Sequence, residues 1–199
     1  MSGSGVGSVQ PTRTARWWVR WISVLVGIGI AVLPLVPPRA AGQETDLAEF
    51  SASRAFSHVE VIAQNPHPIG SEENGRVRRY LIDTLSGMGL SPLTQSVEVE
   101  DYFGAPDSTV DVVNVMIKLE GGDSTGAVAL VAHYDTVPTT PGANDDSGGV
   151  GTLVEVARIL VSDPQLDNDV ILLFTDGEEP APRFGSSAFV AEHPWFGDI

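Results

Sequence analysis

Two short apolar runs, AVALVAH at residues 127–133 and DVILLF at 169–174, constrain the fold of this chain more than any other feature of its sequence. Neither alternates with polar residues, so each reads as a strand covered on both faces, with AVALVAH a central one. The residues just beyond each run are equally telling. His133 closes the first, Asp135 comes two residues later, and the turn PGANDDSGG brings Asp145 and Asp146; the second runs directly into TDGEE, with Glu178 and Glu179. Ligands of open α/β sheets gather beyond the carboxyl ends of the strands, which makes both clusters candidate sites.

The flanking sequence supplies the remaining layers. Apolar positions between 45 and 64 recur at one-sided helical spacing until NPHPIG interrupts them. Ser71 is placed to cap a second helix, with Glu72 and Glu73 in its first turn, Val77, Tyr80, Leu81, Leu85 and Met88 on one face and Gly87 and Gly89 at its end. Its basic run Arg76, Arg78 and Arg79 is expected on the solvated side. TQSVEVE and VDVVNVMIKLE read as strands, GVGTLVEVARIL as a helix and SSAFVAEH as a last helix. The order of elements predicts an α/β domain with a mixed sheet, in three α/β/α layers.

Charge divides the chain into two parts. Residues 1–41 hold Arg13, Arg16, Arg20 and Arg39 and no acid, whereas residues 42–199 carry seven basic and 26 acidic groups, a net of −19. Such a domain repels nucleic-acid phosphates and attracts cations wherever its carboxylates converge. There is no cysteine, so a metal must be held by His, Asp and Glu. Trp21 to Pro37 is uncharged and mostly apolar, with arginines before it and acids after it. By the positive-inside rule this segment, 21–41, reads as a signal anchor or a cleaved signal. It comes after a cytoplasmic basic tail at 1–20 and exports the domain from residue 42 onward.

Taken one at a time, the polar residues have ordinary explanations. A histidine at a strand end is commonly structural, Asp146 is placed to cap the next helix, and adjacent glutamates are common on surfaces. Taken together they supply what a hydrolytic zinc site needs. Two positions along an extended segment, Asp135 can accept one N–H of His133 and leave the other nitrogen free for a metal. Asp145, Glu178 and Glu179 then provide a bridging carboxylate, a second ligand and a free carboxylate to accept a proton. Without a cation, so many acids in one cleft would repel one another.

HYDTVP, PGANDDSGG and FTDGEE, in this order and spacing, resemble the zinc aminopeptidase family that includes bacterial leucyl aminopeptidases, glutamate carboxypeptidase and the endoplasmic-reticulum metallopeptidases. NPHPIGSEENGRVRRYLIDTLSGMGL is similar to the lead-in helix of its membrane-anchored members, and the likeness extends over about residues 45–197. The resemblance implies two zinc ions per complete domain, with a metal-bridging hydroxide attacking the peptide bond of a peptide or aminoacyl substrate. His133 matches the imidazole ligand of the first zinc, oriented by Asp135. Asp145 matches the bridging carboxylate, Glu179 the ligand of the second zinc and Glu178 the general base. Asp146 matches the residue joined to the bridging aspartate by a cis peptide bond.

Two further ligands of the family, an acid and a histidine, have no counterpart among these 199 residues. His193 in AEHPWF is expected to be exposed and not a ligand. The chain is therefore expected to be the N-terminal part of a longer protein and inactive by itself. Other readings of the same motifs are a single-zinc glutaminyl cyclase and a non-catalytic ectodomain. A dipeptidase-like deacylase has a longer gap than the twelve positions between His133 and Asp145.

Overall fold

The computed structural model describes residues 17–32, 35, 40–100, 108–162, 166–180 and 182–199. The chain divides into two units, residues 1–39 and 40–199. In the first, α1 (Trp17–Val32) carries the three tryptophans and most of the apolar stretch and has no buried residue. Among the described residues, no helix is long and apolar enough to cross a membrane. Most of the basic tail, and residues 33–34 and 36–39 of the apolar segment, lie outside the described residues.

The second unit opens with α2 (Ala52–Ile62), shorter than the apolar periodicity suggests. The Ser51 hydroxyl caps it by accepting the Arg54 N–H at 3.2 Å. Before that cap, the carbonyls of Gln43, Thr45, Asp46 and Glu49 accept from the Arg54 guanidinium instead of extending a helical ladder. Helix α3 (Glu72–Gly87) starts as the sequence indicates, its Asn74 N–H bonded to the Ser71 hydroxyl at 3.0 Å. Its basic run is only partly solvated. Arg76 pairs with Glu73 and donates to the carbonyls of Val61 and Ile62, satisfying the open C-terminal end of α2.

Four strands come next, β1 (Leu93–Glu100), β2 (Thr109–Leu119), β3 (Ala127–His133) and β4 (Asp169–Thr175), with α4 (Ser147–Ser162) between the last two and α5 (Phe184–Glu192) at the end. The sheet order is β1-β2-β4-β3. The β1–β2 and β2–β4 pairs are antiparallel and β3–β4 is parallel, which gives the expected mixed sheet. Side-chain alternation divides the core. Val115, Ile117, Leu172 and Phe174 face Val77, Leu81 and Leu85 of α3 and Val150, Val154 and Ala157 of α4. Met116, Ile171 and Leu173 face Phe189 of α5 and Trp195 on the other side.

One strand departs from its expected place. AVALVAH forms β3 at an edge of the described sheet, with Val128 and Val131 54% and 52% exposed. Its run is buried only at Ala132 and His133, with Ala127, Ala129 and Leu130 partly covered by the core; its outer side has no strand partner among the described residues.

A buried carboxylate joins α2 to α4. Glu155 is 1% exposed and bonds to Arg54, Arg158 and the Ser51 N–H. The Arg158 terminal nitrogens also reach back, Nη1 to the carbonyl of Leu47 and Nη2 to that of Glu49.

Candidate metal centre

Parallel pairing puts His133 opposite Thr175, so the loops that leave β3 and β4 start side by side. The two motifs, more than forty positions apart in sequence, thereby share one end of the sheet. His133 is 9% exposed, and its Nε2 lies 3.1 Å from Asp145 Oδ1 and 3.9 Å from Glu178 Oε2. Asp145 and Glu179 line the same cleft of about 450 Å³ with Val137, Pro141 and Asn144. Glu178 and Glu179 line an adjoining one with Pro182 and Arg183, and the Arg183 Nε–H donates to Glu178.

Asp135 is fully buried and does more than face the imidazole. The His133 Nδ1 is nearer its backbone carbonyl, at 3.1 Å, than its carboxylate, at 3.5 Å. The carboxylate accepts the N–H groups of Glu178 and Glu179 at 2.9 and 3.1 Å. One residue therefore turns the histidine and holds the backbone of both glutamates.

Asp146 caps α4 by accepting the Gly149 N–H at 2.9 Å, and its other oxygen accepts the His133 N–H at 3.3 Å. The Asp145–Asp146 peptide bond is cis. A Cβ at residue 149 would overlap the Asp146 carboxylate, so a larger residue there would displace the cap. Gly142, at φ +65°, closes the loop between the two aspartates and β3; a Cβ there would lie 2.7 Å from the Asp145 carbonyl and overlap the Thr136 methyl.

The charges explain why this site suits a cation. Burial disfavours the His133 imidazolium, but the hydrogen bond and charge of Asp135, with Asp145 and Glu178, push its pKa up to about 9. Burial also raises Glu179, reinforced by Asp145, Asp135 and Glu178 and opposed by His133. A positive charge among these carboxylates is thus favoured, and a dication beside His133 Nε2 and Asp145 would satisfy the same demand. The donor set of one nitrogen and carboxylate oxygens fits zinc. Among the described residues, no three His, Asp or Glu side chains already surround one point.

Several buried polar residues around the site escaped the sequence reading. His67, in the NPHPIG turn, exchanges two bonds with Thr136, the residue after Asp135. Asp176 is fully buried and accepts from the Asn74 amide at 2.9 Å and the Val113 N–H at 3.1 Å. Asn74 had a legible signal. It falls on the stripe of Val77, Leu81 and Leu85, where a polar residue needs a buried partner. His193 caps the final 3-10 turn Pro194–Asp198, accepting the Trp195 N–H, and stacks on Phe189.

Comparison with known proteins agrees with this architecture. Residues 114–199 match the model of peptidase family M28. Over 183 residues the chain is 29% identical to the vacuolar membrane protease of Schizophyllum commune, covering 88% of this chain and 20% of that protein. It is likewise 29% identical over 184 residues to endoplasmic reticulum metallopeptidase 1 of Mus musculus, covering 84% and 20%. The chain thus spans about a fifth of the length of these relatives. Among solved structures, Porphyromonas gingivalis glutaminyl cyclase superposes with a TM-score of 0.65 at 27% identity, over 74% of this chain and 55% of that one.

Proposed function

We propose that this chain carries the zinc-binding half of an aminopeptidase-type metallopeptidase that hydrolyses peptide bonds next to a free amino terminus. The observation that carries the reading is the pairing of His133 Nε2 with Asp145 Oδ1 at the mouth of a cleft that Glu179 also lines. His133 and Asp145 would hold one zinc ion, and Asp145 and Glu179 a second. When bound, zinc polarises the scissile carbonyl and lowers the pKa of water. Glu178, whose backbone Asp135 holds in place, takes the proton from the attacking water and passes it to the leaving amine. Asp135 orients His133, and Asp146 fixes the turn that presents Asp145.

Two protein ligands per ion are fewer than the three that hold a catalytic zinc with an open position. The 199 residues alone are therefore expected to bind zinc weakly and to be inactive as a peptidase. The names of the relatives and the tryptophan-rich helix α1 support a membrane-associated protein, with the peptidase domain on the far side from the arginine-rich tail.

The test is a comparison of the protein encoded by the full reading frame with its Glu178→Gln variant. It measures bound zinc by elemental analysis and release of a reporter amine from aminoacyl substrates. The variant is expected to keep its zinc and lose about 10²–10⁴-fold in rate. Wild-type rates in Glu178→Gln would remove Glu178 from the reaction. The glutaminyl cyclase likeness favours a second reading, acyl transfer within an N-terminal glutamine, and the same preparation decides it if it cyclises a glutaminyl peptide without releasing an amino acid.

A further inference from the structure

The turn that bears Glu178 and Glu179 is held from beneath by a buried polar network. Its backbone can be traced atom by atom. The Asp176 N–H donates to Asn114 Oδ1 at 3.2 Å, the Asp176 carbonyl accepts from Gly185, and the Gly177 carbonyl accepts from Phe184. The Glu178 and Glu179 N–H groups go to Asp135. The Asp176 carboxylate accepts the Gly177 N–H at 3.0 Å together with the Asn74 amide of α3 and the Val113 N–H of β2. Asn114 in turn donates to the Gly185 carbonyl and to Gln95. These backbone groups being taken up within the fold, the two glutamate side chains reach the cleft from a fixed base.

A turn that needed only to be closed would not require a carboxylate at 0% exposure. Removing such a charge from water is costly unless several donors meet it, and here three do. We infer that Asn74 and Asn114 are positioning residues which, through Asp176, set where Glu178 and Glu179 stand relative to His133. Asn74 acts on the Asp176 side chain from α3, and Asn114 acts on its backbone from β2, so the turn is gripped by two different layers of the domain. This inference rests on the metallopeptidase reading.

The experiment uses the 199-residue chain and two readouts, amide hydrogen exchange by NMR and zinc affinity by calorimetry. The variants are Asn74→Leu, which keeps the heavy-atom branching and removes the donor, and His133→Ala as a control for the metal reading. In Asn74→Leu the amides of Gly177, Glu178 and Glu179 are expected to exchange at least about tenfold faster while those of Leu172, Leu173 and Phe174 keep their rates. The zinc Kd should rise by about 10-fold or more, the scale of lost outer-shell support. Unchanged exchange in the turn, or faster exchange throughout β4, would overturn the inference. Should Asn74→Leu fail to fold, Asn74→Ser takes its place; failure of both would show that the network supports the whole domain, and would overturn it as well. If His133→Ala binds zinc as tightly as the parent chain, the metal reading fails whatever the exchange rates show. If His133→Ala loses zinc while Asn74→Leu matches the parent in both readouts, only the positioning inference fails.

Discussion

Asp145 reaches His133 Nε2 at 3.1 Å while its side chain remains 78% exposed, whereas the imidazole it meets is 10% exposed. The pair thus has a buried, oriented nitrogen on one side and a solvent-facing carboxylate on the other, an arrangement in which an arriving ion can exchange its water for protein ligands stepwise. Asp145→Ala is expected to weaken zinc binding by about 100-fold while leaving the thermal unfolding temperature nearly unchanged, because the exposed carboxylate contributes little to folding. Calorimetric titration with zinc, beside a melting curve of the metal-free protein, checks both halves.

Gly142 should be less tolerant of substitution than its place in a loop suggests. At φ +65° an alanine is strained by about 1–2 kcal/mol, and its methyl would press on Thr136 and the Asp145 carbonyl. Gly142→Ala is expected to lower stability by at least that amount and to weaken zinc binding in the same protein, since relief moves Asp145. A urea melt and a zinc titration measure the two effects.

Glu155 predicts an acid limit to stability. Burial raises its pKa, but the Arg158, Ser51 and Arg54 donors outweigh burial and hold it below the ordinary 4.5. A depressed folded-state pKa contributes stability that is fully present above about 4.5 and is lost as pH falls through the lower folded value. Unfolding free energy should therefore drop below pH 4.5, and Glu155→Gln should flatten that part of the curve. At pH 7 the substitution is expected to cost about 3 kcal/mol, because it leaves two arginines facing an uncharged partner. Chemical denaturation from pH 3 to 7 gives the comparison.

Strand β3 predicts how the isolated chain behaves in solution. Among the described residues its outer edge has no strand partner, and Val128 and Val131 beside it are half-exposed. The chain is expected to self-associate at high concentration, and Val128→Lys with Val131→Thr should reduce that without altering the melting temperature by more than a few degrees. Sedimentation velocity over a concentration series would show it; association unchanged by both substitutions would mean that another surface is responsible.

The layers and the site were legible in the sequence to different degrees. Helix α3 could be read nearly to the residue because Ser71, the two glutamates after it and the stripe Val77–Leu81–Leu85 all agree. The meeting of the two polar clusters at one end of the sheet was readable because each ends an apolar run, and strand ends are where an α/β sheet exposes its polar groups. The position of β3 at an edge was not, since an uninterrupted apolar run says that side chains prefer cover but not which neighbour provides it. The start of α2 was misjudged for a different reason: Phe50 and Leu47 fit the helical period, but Arg54 takes the carbonyls that such a helix would use. Asp176 was hidden by its neighbours, because an acid beside two glutamates reads as surface unless the asparagines that meet it, a hundred residues away in one case, are seen in place.

Glu155 sits in the middle of α4, and the first turn of the same helix is where Asp146 grips the backbone of His133. Arg54 and Arg158 bind the chain between Gln43 and Glu49 to that midpoint through five carbonyls. The residues before α2 are thereby fastened to the middle of α4 by side-chain bonds and not left as a free strap. The stretch that leads into the domain and the helix that Asp146 caps are, by this linkage, anchored to one another although they lie far apart in the chain.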